Sequence, residues 1–173
     1  MAANDYHFVE QWFIPDYGPA QVYAVLANAS ILPQWWKGVY QRAFVLGDYS
    51  EPVVGARVRV RAKGWLPYHL DFDLEALCLR PGRMVEVEAS GDFHGIWRAT
   101  LHAEAGGTRV ELDWRVTVTK PVVRWLSPLL RPLFAWNHRW TTPRGERGMI
   151  AHLDRVHGRR IDPCDSHHRL AMA

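Results

Sequence analysis

The chain has 173 residues, 48% hydrophobic and 23% charged, with a formal charge of +3 and a pI near 9.1. That length closes one domain around a single core, and the basic excess is too small and too dispersed for a sequence-independent nucleic-acid surface. No apolar run reaches the roughly 18 residues of a membrane-spanning helix, so no integral membrane segment is expected.

The first residues, MAANDYHFVEQ, lack a basic stretch followed by an apolar one, and a cytoplasmic protein is the expectation. Cys78 in a strand-like run and Cys164 in a polar tail then read as reduced thiols rather than a disulfide. The nine tryptophans are unusual. Such residues bury large areas and line sites for flat or apolar ligands, although ordinary core packing is their commoner role.

Residues 6–14, YHFVEQWFI, are aromatic and β-rich and close on Pro15, which predicts a first strand. A helix follows, with Pro19 in its first turn and Val22, Val25 and Leu26 on one face. Ser30 is placed to cap a second short helix through ILPQWW, ended by Lys37-Gly38.

From there the period changes to two. Val58 and Val60 alternate with Arg57, Arg59 and Arg61, and Leu70, Phe72 and Leu74 alternate with Asp71, Asp73 and Glu75. Val85 and Val87, then Val110, Leu112, Trp114 and Val116, continue the pattern. It predicts about six antiparallel strands with one wet and one apolar face, joined by tight turns at RPGR and EAGGT. The arginine row is a candidate phosphate stripe, but the acidic row opposite gives a simpler account, cross-strand charge pairs on the solvent face.

After Thr119 the pattern becomes helical over about 121–156, with Pro128, Pro132 and Pro143 predicting kinks or separate segments. Residues 158–173 read as a flexible polar tail behind a single domain of residues 1–157. Asp162, Cys164, Asp165, His167 and His168 fit no metal-ligand spacing, so no metal is expected. The fold class is α+β: a curved sheet of about seven strands needs its apolar face covered, and the C-terminal helix is the element long enough to do it. A cavity between the two is a common ligand site.

The order of elements and the run WFIPDYGPAQVYAVLANASILPQWWKGV resemble the START-like (SRPBCC) superfamily of helix-grip proteins. GWLPY, SGDFHGIWRATL and RPLFAWNHRW…RGERGM are similar to its polyketide cyclase/dehydrase and lipid transport branch. The resemblance spans roughly residues 6–156. It implies a helix-grip fold and leaves the activity open, because the superfamily includes carriers, receptors and cyclases and the branch supplies no catalytic set to carry over.

With Leu133 at zero on a helical wheel, Leu126, Leu129, Leu130, Trp136 and Trp140 all fall within about 60°. Asn137 falls at about 40°, inside that stripe, and His138 at about 140°, outside it. Asn137 therefore faces the sheet, either bonded to backbone or buried water or orienting a ligand. The candidate ligand-binding set is Trp36, Tyr68, Phe72, Trp97, Trp114, Leu133, Trp136, Asn137 and Trp140. His94 is the one histidine in a turn near a sheet end, a weak catalytic candidate. No Ser-His-Asp set, nucleophile elbow, P-loop or dinucleotide fingerprint is present, and no cofactor is expected. Three functions fit: binding of a hydrophobic aromatic or polycyclic molecule or lipid by a monomer or homodimer, a cyclase acting mainly by substrate positioning, and an interaction module whose rings fill their own cavity.

Overall fold

The computed structural model describes residues 5–63, 69–118 and 140–158. Strand β1 (Asp5–Pro15) leads to helix α1 (Pro19–Ala27), a 3-10 turn (Ala29–Ile31) and short helix α2 (Leu32–Trp35). Six strands follow: β2 (Tyr40–Leu46), β3 (Arg57–Ala62), β4 (Leu70–Arg80), β5 (Met84–Gly91), β6 (Phe93–Glu104) and β7 (Gly107–Val118). Residues 140–156 form helix α3. All seven strands make one curved antiparallel sheet in the order β1-β7-β6-β5-β4-β3-β2, the expected α+β helix-grip arrangement. Register shifts in β2 at Tyr40/Arg42 and in β4 at Ala76/Cys78 are bulges, which bend a sheet.

Alternation decides which face is which. In β1, Trp12 and Ile14 are buried while Val9, Gln11 and Phe13 are exposed. In β3, Val58 and Val60 are buried between three exposed arginines. The register sets Arg57 opposite Glu75, Arg59 opposite Asp73 and Arg61 opposite Asp71. Arg59 Nε donates to Asp73 at 2.8 Å, and Arg61 Nε to Asp71 at 2.7 Å. The arginine row is thus the outer half of a cross-strand charge ladder. The hydrogen bond from Arg59 is the main cause that holds the Asp73 carboxyl below the usual range, against an opposing desolvation.

α1 buries Val22, Val25 and Leu26, the predicted face. The cap of the next turn differs from expectation. Asn28, not Ser30, supplies it: its side-chain oxygen accepts the Ser30 backbone N–H, and the Ser30 hydroxyl donates to the same oxygen at 2.6 Å. The longer amide reaches forward over the turn that the serine hydroxyl only braces. Pro143 does not break α3, which runs through it. Arg144 Nη1 donates to the carbonyl of Trp140 at 2.8 Å. Pro128 and Pro132 lie outside the described residues.

What seats α3 is a lack of side chain. A Cβ on Gly145 would lie 2.7 Å from the Trp36 ring and 2.8 Å from that of Trp12. One on Gly148 would overlap the Trp35 carbonyl oxygen. Met149 and Leu153, one and two turns beyond Gly145, are fully buried in the same core as Trp12, Ile14 and Val22. Glu146 accepts the Phe13 N–H at 2.9 Å on the open edge of β1, and the Tyr17 hydroxyl donates to Asp154 at 2.6 Å. Gly148→Ala is therefore expected to lower stability by about 1–3 kcal/mol, because overpacking outweighs the roughly 1 kcal/mol that alanine gains in a helix. Denaturant unfolding measures it; a more stable variant would contradict this seating of α3.

Candidate ligand-binding site

Rings run in an unbroken chain across the interior. Trp12 meets Trp36 edge-on with centroids 5.5 Å apart, and Trp35 stacks on Trp36 at 5.2 Å. Trp36 touches Tyr40 at 5.4 Å, Tyr40 touches Phe72 at 6.4 Å, Phe72 touches Phe93 at 4.4 Å and Phe93 touches Trp114 at 6.3 Å. Several sheet strands and the α2 turn contribute to this one surface. The rings after Trp12, with Trp97 and a few aliphatic side chains, enclose a cavity of about 50 Å³ among the described residues. Trp97 and Trp114 reach it side by side because they are register partners on β6 and β7.

Polar groups in this wall are few. Trp36 is oriented by its Nε1, which donates to the Thr141 carbonyl of α3 at 3.0 Å. The Nε1 atoms of Trp12 and Trp35 are buried with no partner among the described residues. An unpaired N–H costs about 1–3 kcal/mol, whereas burying roughly 200 Å² of indole contributes about 5 kcal/mol, so ring burial prevails. Among the described residues, Tyr40 carries the only hydroxyl in the cavity wall. Burial pushes its phenol above the ordinary value, so at neutral pH it is a hydrogen-bond donor, not a phenolate. A smaller hollow next door shares Trp36, Trp97 and Trp114 with the cavity and adds Glu10 and Thr142. Glu10 is the one carboxylate on the inner face of β1, between Phe8 and Trp12, and its Oε2 is buried.

Of the residues read from the sequence, Trp36, Phe72, Trp97 and Trp114 share the cavity. Trp140 is not among its described lining; its ring lies under the Arg144 guanidinium, 3.6 Å from Cζ to centroid. Tyr68, Leu133, Trp136 and Asn137, with His138, lie outside the described residues. His94 faces outward, 3.2 Å from Glu88. Sequence reasoning passed over Tyr40, Phe93 and Glu10. Glu10 was legible as the polar exception on the apolar side of an alternating strand. Tyr40 follows the Trp35–Trp36 turn at the start of an edge strand whose burial does not alternate, and periodicity gave no signal there. Among the described residues no group of His, Cys, Asp and Glu is disposed to hold a metal, and no helix is long and apolar enough to cross a membrane.

The geometry defines a helix-grip protein with an aromatic interior cavity. Residues 15–142 match the family model of polyketide cyclase/dehydrase and lipid transport proteins, and the chain belongs to that family. Among solved structures it is similar to TTHA0849 from Thermus thermophilus, with a TM-score of 0.73 at 18% identity over 87% of this chain and 99% of the other. The Zhui aromatase/cyclase from Streptomyces sp. R1128 superposes with a TM-score of 0.68 at 10% identity over 87% of this chain and 94% of its own. Ara h 8.0201 does so with 0.62 at 12% identity, over 86% and 97%. At such identities the likeness is one of fold. No curated protein sequence matches the chain.

His152, on the buried side of α3, is held below its ordinary pKa first by burial and then by the charges of Arg155 and Lys37. The unfolded chain, with the ordinary value of 6.5, therefore takes up the proton first. Stability from this group is complete above that pH and is lost as the pH falls through the interval below it. The melting temperature is expected to fall on acidification below about 6.5, with a smaller fall in His152→Leu. Identical acid slopes for the two proteins would show that His152 is not the group responsible.

Proposed function

We propose that the protein binds a ring-bearing apolar small molecule or lipid in the space between the sheet and the C-terminal helix, acting in the cytoplasm as a monomer or homodimer. The observation that carries this reading is the unbroken aromatic wall in which Tyr40 is the one described hydroxyl. Apolar burial supplies the affinity, and the phenol orients a carbonyl or hydroxyl of the ligand. From the sequence pattern alone we further propose Asn137 as a second orienting group and Tyr68, Leu133 and Trp136 as additional ligand contacts. The family description and the aromatase/cyclase neighbour support a polycyclic ligand class.

Pockets for ligands of this size hold roughly 300–1,000 Å³, more than the cavity of about 50 Å³ among the described residues, and in the proposed binding the wall parts. Binding is expected to show as quenching of tryptophan fluorescence. A polycyclic quinone and its parent hydrocarbon, titrated separately, test both halves of the proposal. In Tyr40→Phe the quinone should bind about fivefold to tenfold more weakly, the worth of one buried hydrogen bond, and the hydrocarbon as before. Equal affinities in both proteins would remove Tyr40 from the role. No binding of either compound would favour rings that fill their own cavity.

A second reading is favoured by Glu10 in the adjoining hollow. In a cyclase the carboxylate takes a proton α to one carbonyl of a polyketone while Tyr40 polarises that carbonyl. The enolate carbon then attacks a second carbonyl of the same chain, and the new alkoxide recovers the proton from Glu10, an isomerisation balanced in atoms and charge. Positioning alone contributes several kcal/mol to such a ring closure. Glu10→Gln is then expected to retain quinone binding and lose turnover of a linear polyketone; turnover equal to that of the parent protein would exclude the carboxylate.

A further inference from the structure

Several cations on the sheet are matched to acids. Arg57, Arg59, Arg61, Arg98 and Arg109 each have a carboxylate within ion-pair distance. A second group is arranged differently. Lys37, just beyond α2, and Arg144, Arg147 and Arg155 on α3 line one cleft of about 250 Å³ together with Gln34 and Trp35, and among the described residues no carboxylate lines it. The α3 residues of this wall, at 144, 147, 148, 151 and 155, lie along one helix face. The repeat brings like charges together and costs stability unless an anion offsets it.

Two of the guanidinium groups are already positioned. Arg144 Nη1 donates to the Trp140 carbonyl at 2.8 Å and Arg147 Nε to the Pro143 carbonyl at 3.1 Å. Each is held by one N–H to backbone a turn away, which leaves its other donors for a ligand. Two further groups adjoin them. Trp35 is 2% exposed, forms part of the cleft wall, and its Nε1 has no partner among the described residues. His152, on the buried side of α3, has its pKa lowered first by burial and then by the charges of Arg155 and Lys37, the same cations that line the cleft.

We propose that the cleft between the end of α2 and the outer face of α3 binds the phosphate group of a soluble phosphoester. A carboxylate has one charge and two oxygens; four cations and the Gln34 amide suit the greater charge and the additional oxygens of a phosphate. The volume leaves room for the atoms next to the phosphorus. None of the large exposed apolar side chains described, such as Phe44, Val53 and Val54, lines the cleft, which disfavours a headgroup still seated in a bilayer. Trp35 is the common wall of this cleft and the aromatic cavity, so the two sites stand one indole apart.

Pyrophosphate titrated into the full-length protein by calorimetry, at constant ionic strength near neutral pH, tests the proposal without any cavity ligand. The expected result is saturable binding at one site, weakened about tenfold or more in Lys37→Gln/Arg155→Gln. Both side chains are exposed, and a cooperative melt without ligand, at or above the parent's temperature because two repelling charges are gone, confirms that the variant folds. Arg147→Gln, also exposed, should give a smaller loss in the same direction. A response that is equal in parent and variant, or that never saturates, would overturn the site and leave only a counterion atmosphere. Binding to phosphatidylcholine vesicles containing phosphatidic acid, with none to pyrophosphate, would overturn it in favour of a membrane surface.

Discussion

The closeness of α3 to two indoles and to the backbone of Trp35 governs the rest of the structure. Gly145 lies on the rings of Trp12 and Trp36, and Gly148 on the backbone of Trp35. Any side chain at either position would lift the helix from the sheet. With the helix down, Trp36 donates to the Thr141 carbonyl, Met149 and Leu153 become part of the core, and Glu146 closes part of the free edge of β1. The helix and the α2 turn are thereby fixed to each other, and the aromatic chain from Trp36 to Trp114 acquires a fixed end.

This constraint also separates two environments that share Trp35. On one side the indole meets rings and aliphatic groups with one phenol among them. On the other it meets cations and an amide. The inner side has little to offer a charge and much to offer apolar surface, so in the proposed function affinity would come from area removed from water and orientation from Tyr40. The outer side offers electrostatics that water and salt weaken, which makes geometry and charge number decisive. The family match and the helix-grip neighbours bear on the fold, while both the inner site and the outer cleft rest on this chain's own residues.

Much of the fold was legible because burial follows period. Val58 and Val60 against Arg57, Arg59 and Arg61 fixed a strand and its faces, and the acidic row at Asp71, Asp73 and Glu75 fixed its partner and register. α1 was legible from Pro19 and three apolar residues. β2 was not singled out, since an edge strand exposed on both faces has no alternation to read. The site was less legible. Trp97 and Trp114 were picked out by ring size and strand face, Phe72 by its place near the GWLP turn and Trp36 by the family resemblance, and these converge. Tyr40 and Phe93 join them only through tertiary packing, and the importance of Gly145 and Gly148 is visible only once the Trp12 and Trp36 rings and the Trp35 backbone beneath them are placed. Asn137, the residue that the helical wheel pointed to most strongly, lies outside the described residues.

The central claim is that a ligand enters the space bounded by the rings. Its most direct measurement is the set of intermolecular nuclear Overhauser effects between a bound polycyclic quinone and the protein's methyl groups. The account expects contacts to Leu26, Leu74 and Val87, which line the cavity with the rings. Contacts confined to exposed groups such as Val9, Val54 and Val156 would contradict it.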